Sequence, residues 1–211
     1  MAKLDALPKP HEGSYRAFVF DLDGTLYDQK KLRLIMALRL LLYYLCHPGK
    51  IRELWLLKTF RQVRDNWTGD GTDVDALQYA AVAVKHHVEP ALVEAVVKRW
   101  IYENPLSALP KCTDHKLADY IRDLRKEDIP VFIFSDYPIE EKLAALGLEA
   151  DGMYAPGDER QIALKPSPMG LKLIMKEHGL SPDEVLMVSD RDVKDGEAAR
   201  SAGVDYYITR K

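Results

Sequence analysis

Residues 17–25 read Ala17-Phe18-Val19-Phe20-Asp21-Leu22-Asp23-Gly24-Thr25. Four apolar residues in an unbroken run, with no polar alternation, form the pattern of a strand buried on both faces. Side chains alternate along extended backbone, so Asp21 and Asp23 are expected to project to the same side just past the strand's end. Gly24 lets the chain turn closely past a ligand. Two carboxylates so placed can divide labour. One attacks as nucleophile, and the other passes a proton to the leaving group and then takes one from water.

Two further runs of the same kind lie downstream, Val131–Phe134 before Ser135-Asp136 and Val185–Val188 before Ser189-Asp190. Val204–Ile208 and Met153–Ala155 are weaker strand candidates. Helical patterns separate them. Asp114–Lys126 carries Leu117, Tyr120, Ile121 and Leu124 on one face, with Thr113 or Asp114 as cap. Pro138–Leu146, Pro168–His178 and Lys194–Ala202 are each followed by a glycine that stops the helix. Strand and helix in alternation predict right-handed crossovers and a parallel sheet, an α/β three-layer Rossmann-like core with helices on both faces. Ligands of such sheets bind at the carboxyl ends of the strands, where these acids fall.

Residues 28–110 break this rhythm. They contain no convincing strand and read as helices over Lys31–Cys46, Ile51–Trp67, Val74–Val88 and Pro90–Tyr102, punctuated by His47-Pro48-Gly49, 68–73 and Glu89-Pro90. The expectation is a core of residues 1–27 and 111–211, interrupted after its first strand by a helical insertion. The chain's 211 residues suit that division, being long for one minimal domain and short for two.

Composition narrows the function. Hydrophobic residues make up 47% and charged residues 30%, which excludes whole-chain disorder. A net charge of -3 argues against a nucleic-acid partner. Cys46 and Cys112 lack the spacing of a zinc cluster, and two cysteines make no disulfide framework, so a reduced, cytoplasmic setting is expected. The first fifteen residues lack an apolar signal-like stretch and read as a surface lead-in. The longest apolar stretch, Leu32–Cys46, contains Arg33 and Arg39 and falls short of the roughly 20 residues of a membrane span, so no stable membrane insertion is expected. His86-His87 are neighbours on a helix and diverge, which disfavours a shared metal.

The Asp21-Leu22-Asp23-Gly24-Thr25 segment resembles the first signature of the haloacid dehalogenase-like (HAD) hydrolase superfamily, and the other signatures follow in order. Ser135 after a strand matches the second, Lys165-Pro166-Ser167-Pro168 the third, and Asp190 with Asp195 the fourth. The position of the insertion resembles the helical cap of the phosphoglycolate-phosphatase-like branch. The resemblance implies the HAD fold and an Mg²⁺ ion held by Asp21, the backbone carbonyl of Asp23, and Asp190. It implies catalytic roles for Asp21, Asp23 and Lys165. It implies phosphate contacts from Ser135 and Asp136, with Gly24 and Thr25 in the same substrate-binding turn. Asp195 would orient Lys165 or metal-bound water, with Asp192 as its competitor. Superfamily members that remove halogen from carbon lack an acid at the position of Asp23, because a halide needs no proton. Hydrolysis of a small phosphorylated metabolite through an aspartyl-phosphate is therefore expected. A sugar-phosphate mutase using the same intermediate stays open, as does a non-catalytic phosphate-binding module.

One local feature stands apart from the signatures. From Lys30 to Arg64 lie nine basic residues (Lys30, Lys31, Arg33, Arg39, Lys50, Arg52, Lys58, Arg61, Arg64) and one acid, Glu53. A solvated face is the plain reading. Contact with a second anionic group of the substrate, or with an acidic partner or anionic membrane surface, are the alternatives. The sequence does not fix the oligomeric state.

Overall fold

The computed structural model describes residues 1–10, 15–69, 71–157 and 160–209; residues 11–14 of the lead-in and residue 70 of the 68–73 break lie outside them. Strands β1 (Lys3–Leu4), β2 (Ala17–Phe20), β3 (Val131–Phe134), β4 (Gly152–Tyr154), β5 (Val185–Ser189) and β6 (Asp205–Ile208) form one parallel sheet in the order β1-β6-β5-β2-β3-β4. β2, which leads into Asp21, is thus central, flanked by β5 and β3.

The strict period of two explains the layers. Phe18 and Phe20 of β2, Val131 and Ile133 of β3, and Leu186 and Val188 of β5 enter one apolar cluster. Ala17 and Val19, Phe132 and Phe134, and Val185 and Met187 enter the other. Helices α5 (His115–Lys126) and α6 (Glu140–Ala145) cover the first face; α7 (Met169–His178) and α8 (Glu197–Ala202) cover the second. The Asp114 carboxylate caps α5 by accepting the Leu117 N–H at 3.2 Å, and Leu117, Ile121 and Leu124 sit on its buried face. A cap of this kind contributes about 1 kcal/mol.

Between β2 and β3 run α1 (Gln29–Cys46), α2 (Glu53–Asp65), α3 (Val74–His86) and α4 (Pro90–Val97), the last continuing as a wider turn over Lys98–Glu103. Phe60, Tyr79, Val82, Val93, Val96 and Trp100 pack among them, in a cluster continuous with the first face of the sheet. The chain leaves the sheet and returns to it side by side. Tyr27 and Thr113 form an antiparallel bridge, Asp28 N–H donates to the Cys112 carbonyl at 2.8 Å, and Asp114 N–H donates to the Leu26 carbonyl at 2.9 Å.

Two expectations need correction. The lead-in is not merely a surface segment, because β1 extends the sheet beyond β6. Main-chain pairing drives this: Tyr206 N–H donates to the Ala2 carbonyl at 2.9 Å, and Lys3 pairs with Asp192 at 2.7 Å. The helix predicted over Lys194–Ala202 is regular only from Glu197, and Asp192–Gly196 is a wide turn that carries Asp195 inward. No single helix among the described residues is long and apolar enough to cross a membrane. Cys46 and Cys112 are free thiols.

Candidate active site

β2 delivers Asp21 to the sheet's carboxyl edge, where Gly24 turns the chain with φ +97°. A Cβ at Gly24 would lie 2.4 Å from Asp190 Oδ2, so glycine is required there by conformation and by space. Thr25 donates its hydroxyl to Asp21 Oδ2 at 2.9 Å. That contact orients the carboxylate from behind.

Lys165 reaches in from the loop before α7 with its side chain fully buried. It bonds Asp21 Oδ1, pairs with Asp195 Oδ1 at 2.6 Å and donates to the Phe134 carbonyl at 3.2 Å. Burial alone would lower the ammonium's pKa, but Asp21, Asp195 and Asp136 together raise it above the ordinary lysine value. Burial pushes the Asp21 carboxyl above the usual carboxylate range; Lys165 pulls against this and Asp195 adds to it. Asp195 and Asp192 are placed differently in space. Asp195 is buried against Lys165, whereas Asp192 lies outside, paired with Lys3 and Arg200.

Asp190 follows β5. Burial raises its carboxyl, and Oδ1 has no hydrogen-bond partner among the described residues. One oxygen each of Asp21, Asp190 and Asp195 lie within 4.8 Å of one another. Lys165 pairs with both Asp21 and Asp195, and Arg191 stands 3.9 Å from Asp190, so the three acids carry one more negative charge than these two cations balance at close range. Hard oxygen donors this close, one of them without a hydrogen bond among the described residues, fit Mg²⁺.

Asp23 occupies the other side of the site. It pairs with Lys142 Nζ at 2.6 Å, accepts from the Tyr27 hydroxyl, and accepts from Ser135 Oγ at 3.3 Å. Burial works to raise its carboxyl, but Lys142 and Tyr27 outweigh it and hold the group low. Ser135 is buried at the end of β3, and its Oγ also accepts the Tyr137 N–H at 3.1 Å. Asp136 Oδ1 accepts the Lys165 N–H at 2.8 Å, tying the β3 end to the lysine loop.

A cavity of about 330 Å³ opens between these strand ends and α1. Asp23, Lys142 and Arg191 line its polar floor. Arg33 and Arg61 line its walls, with Leu32, Met36 and Trp100. The basic segment therefore serves several ends. Arg39 does not face the cavity but bonds the Asn104 carbonyl and, at 3.0 Å, the Ser107 hydroxyl. Arg64 is only 2% exposed: its Nε donates to the Asp136 carbonyl at 2.9 Å, and its Nη1 pairs with Asp75 and Gln78. It shares the inner face of α2 with Leu57 and Phe60. His86 bonds Thr59 at 2.8 Å, a packing role.

Lys142, Tyr27, Arg191 and Arg64 are the site-forming residues that sequence reasoning missed. Lys142 sits on the helix following Ser135, and the one available signal was its place on the strand end's own crossover. Tyr27 is four residues from Asp23. Arg191 follows Asp190 directly and lies 3.7 Å from both Asp136 and Asp195.

A model of the haloacid dehalogenase-like hydrolase family matches residues 15–203. The phosphoglycolate phosphatase of Pseudomonas putida is 25% identical over 193 residues, covering 90% of this chain and 67% of that protein. The magnesium-bound HAD hydrolase YfnB of Bacillus subtilis superposes with a TM-score of 0.63 at 18% identity, covering 93% of this chain and 95% of its own. The L-2-haloacid dehalogenase of Xanthobacter autotrophicus, with chloropropionic acid covalently bound, gives 0.62 at 19% identity, covering 92% and 77%. Both structures share the fold.

Proposed function

The chain belongs to the haloacid dehalogenase-like hydrolases, and on that premise we propose that it is a magnesium-dependent phosphatase acting on a small phosphomonoester. The observation that carries this reading is Asp23. It is a carboxylate two residues beyond the nucleophile, facing the cavity floor and held by Lys142, Tyr27 and Ser135. Cleavage of carbon–halogen bonds has no use for such a group, whereas an alkoxide leaving group requires a proton.

In this reading the negative charge of a bound phosphoryl group lifts the Asp23 carboxyl from its low resting position so that it takes up a proton. Asp21 Oδ then attacks phosphorus and the ester oxygen departs with that proton. Asp23 then takes a proton from water, whose oxygen attacks the phosphorus. Inorganic phosphate leaves and the Asp21 carboxylate is restored. Thr25 and Lys165 fix the nucleophile's direction, and Lys165 offsets charge on the phosphoryl oxygens. Ser135 and the Asp136 N–H supply hydrogen bonds to them. Asp21, the Asp23 carbonyl and Asp190 would hold Mg²⁺, which supplies further positive charge to the transferring group when bound. Asp195 is a positioning residue for Lys165.

Residues 28–110 form the closing unit in this proposal, and 1–27 with 111–211 the catalytic core. The paired linkers at Tyr27 and Thr113 support a hinge there. Two free thiols accord with a cytoplasmic enzyme.

Asp21→Asn is the test. Phosphate release from an aryl phosphate with Mg²⁺ is expected to fall at least 10³-fold, with the circular dichroism spectrum unchanged. Near-normal turnover by the folded variant would refute the mechanism. Isomerised sugar phosphate without phosphate release from the unmutated protein would assign a mutase instead.

A further inference from the structure

Helix α1 has two apolar faces. Leu32, Met36 and Tyr44 are buried inward. Leu34, Leu38, Leu41, Leu42 and Leu45 are 55–73% exposed and have nothing packed over them among the described residues. At 3.6 residues per turn these five leucines occupy an arc of roughly 100° along the whole helix. Beyond the bend after α1, Ile51 and Trp55 are also exposed, by 48% and 58%. Five large side chains in line are more than the scattered surface apolar residues any protein carries.

The charges around this stripe are mostly basic, with the capping Asp28 as an exposed acid at its amino end. Exposed Lys30 stands at its amino end; exposed Lys50, Arg52 and Lys58 stand beyond its carboxyl end. Lys58 lies 5.3 Å from the Trp55 ring centre. No acid occurs between Lys30 and Arg52. Lysines in a helix's first turn oppose its dipole, so helix stability does not account for Lys30.

We propose that the outward face of α1 docks on an anionic lipid bilayer, with the leucine stripe in the headgroup–acyl boundary and the flanking basic residues on lipid phosphates. Leucines and a tryptophan bordered by lysine and arginine are the composition of helices that lie in that plane. Spanning is excluded by the inward face. Leu32, Met36 and Tyr44 belong to the helical layer, and Arg33 and Arg39 interrupt the stretch. A second copy of the chain is the wrong occupant by charge. A two-fold pairing of α1 with itself sets Lys30 against the other copy's Lys50 and Arg52 when antiparallel, with the capping Asp28 alone to offset these cations, and like against like when parallel. An anionic surface neutralises both ends at once.

The test is co-sedimentation of the full chain with vesicles of equimolar phosphatidylcholine and phosphatidylglycerol, against phosphatidylcholine alone. Binding is expected to be at least tenfold stronger to the anionic vesicles and to weaken with salt. Leu38→Glu with Leu42→Glu is expected to abolish it while leaving the thermal midpoint and aryl phosphate turnover in place, since neither leucine lines the cavity. Trp55 emission is expected to shift to the blue on the vesicles, and Trp55→Phe to remove that shift. Three results would each overturn the proposal: no binding to anionic vesicles at low salt, equal binding by the double variant, or a leucine-dependent dimer that ignores vesicles.

Discussion

Lys165 is a cation without solvent between two buried carboxylates. The pairing answers both of its partners, so the lysine is as much a part of the acid cluster as the acids are. What it leaves less covered is the Asp190 side, where the nearest cation is the Arg191 guanidinium at 3.9 Å and Oδ1 has no hydrogen bond among the described residues. A divalent ion placed there stabilises the folded chain by mass action, because the unfolded chain has no preformed site. Millimolar Mg²⁺ is therefore expected to raise Tm by several degrees. Asp190→Asn is expected to lose most of that rise while keeping a Tm near or above that of the metal-free protein, since one repelling charge is gone. A Tm rise of the same size in the variant would place the ion elsewhere. The nucleophile's own turn explains why the motif reads as it does: any residue but glycine at position 24 would strike Asp190.

At the scale of the element, the link between α7 and β5 shows how local charge sets acid stability. Ser181 and Glu184 form a reciprocal cap on the short turn Pro182–Glu184, and Glu184 also accepts from Arg16 at 2.9 Å. The Ser181 N–H, the Arg16 guanidinium and the Ser181 hydroxyl hold the Glu184 carboxyl down at about 2. A carboxyl depressed by folding adds stability above its unfolded pKa of 4.5 and loses it as pH falls towards 2. The urea midpoint of Glu184→Gln is thus expected to lie below that of the unmutated chain by a constant amount above pH 5. The gap is expected to close between pH 4.5 and 2. A gap that stayed constant across that range would show that the hydrogen bonds, and not the charge, do the stabilising.

The elements also show what was legible in advance. Continuous apolar runs marked β2, β3 and β5, because strands buried on both faces leave no alternation to misread. The acids and hydroxyls closing those runs marked Asp21, Asp23, Ser135 and Asp190. β1 was hidden, because two residues among prolines and charges carry no periodicity and their pairing depends on β6, two hundred residues away. Lys142 and Arg64 were hidden for a related reason. A lysine or arginine on a helix looks solvated in sequence, and only the fold shows that a carboxylate or a carbonyl waits for it.

The whole molecule turns on how the helical layer is held over the strand ends. Its two linkers are bonded to each other at Tyr27 and Thr113, and rotation there is the freedom that the proposed closing motion would use. Arg64 opposes that freedom from the far side. It crosses from α2 to the Asp136 carbonyl, next to Ser135, while Asp75 and Gln78 of α3 complete its hydrogen bonds. The guanidinium also lies 4.6 Å from the Tyr137 ring centre. Arg64→Met keeps much of the side chain's bulk but removes every donor, leaving a buried carbonyl and a carboxylate without their partner. The expected cost is about 2–4 kcal/mol of stability. If the clamp also holds the layer closed, KM for a phosphoester should rise more than kcat falls, because the chemical groups on the strands stay in place while the roof over them opens. Small-angle scattering supplies the independent measurement: the folded variant should show a larger radius of gyration than the unmutated chain, and the difference should shrink when a phosphate analogue such as vanadate is bound. A variant that is less stable but equally compact, with kcat reduced and KM untouched, would make Arg64 a support for the β3 loop alone and leave the hinge without its latch.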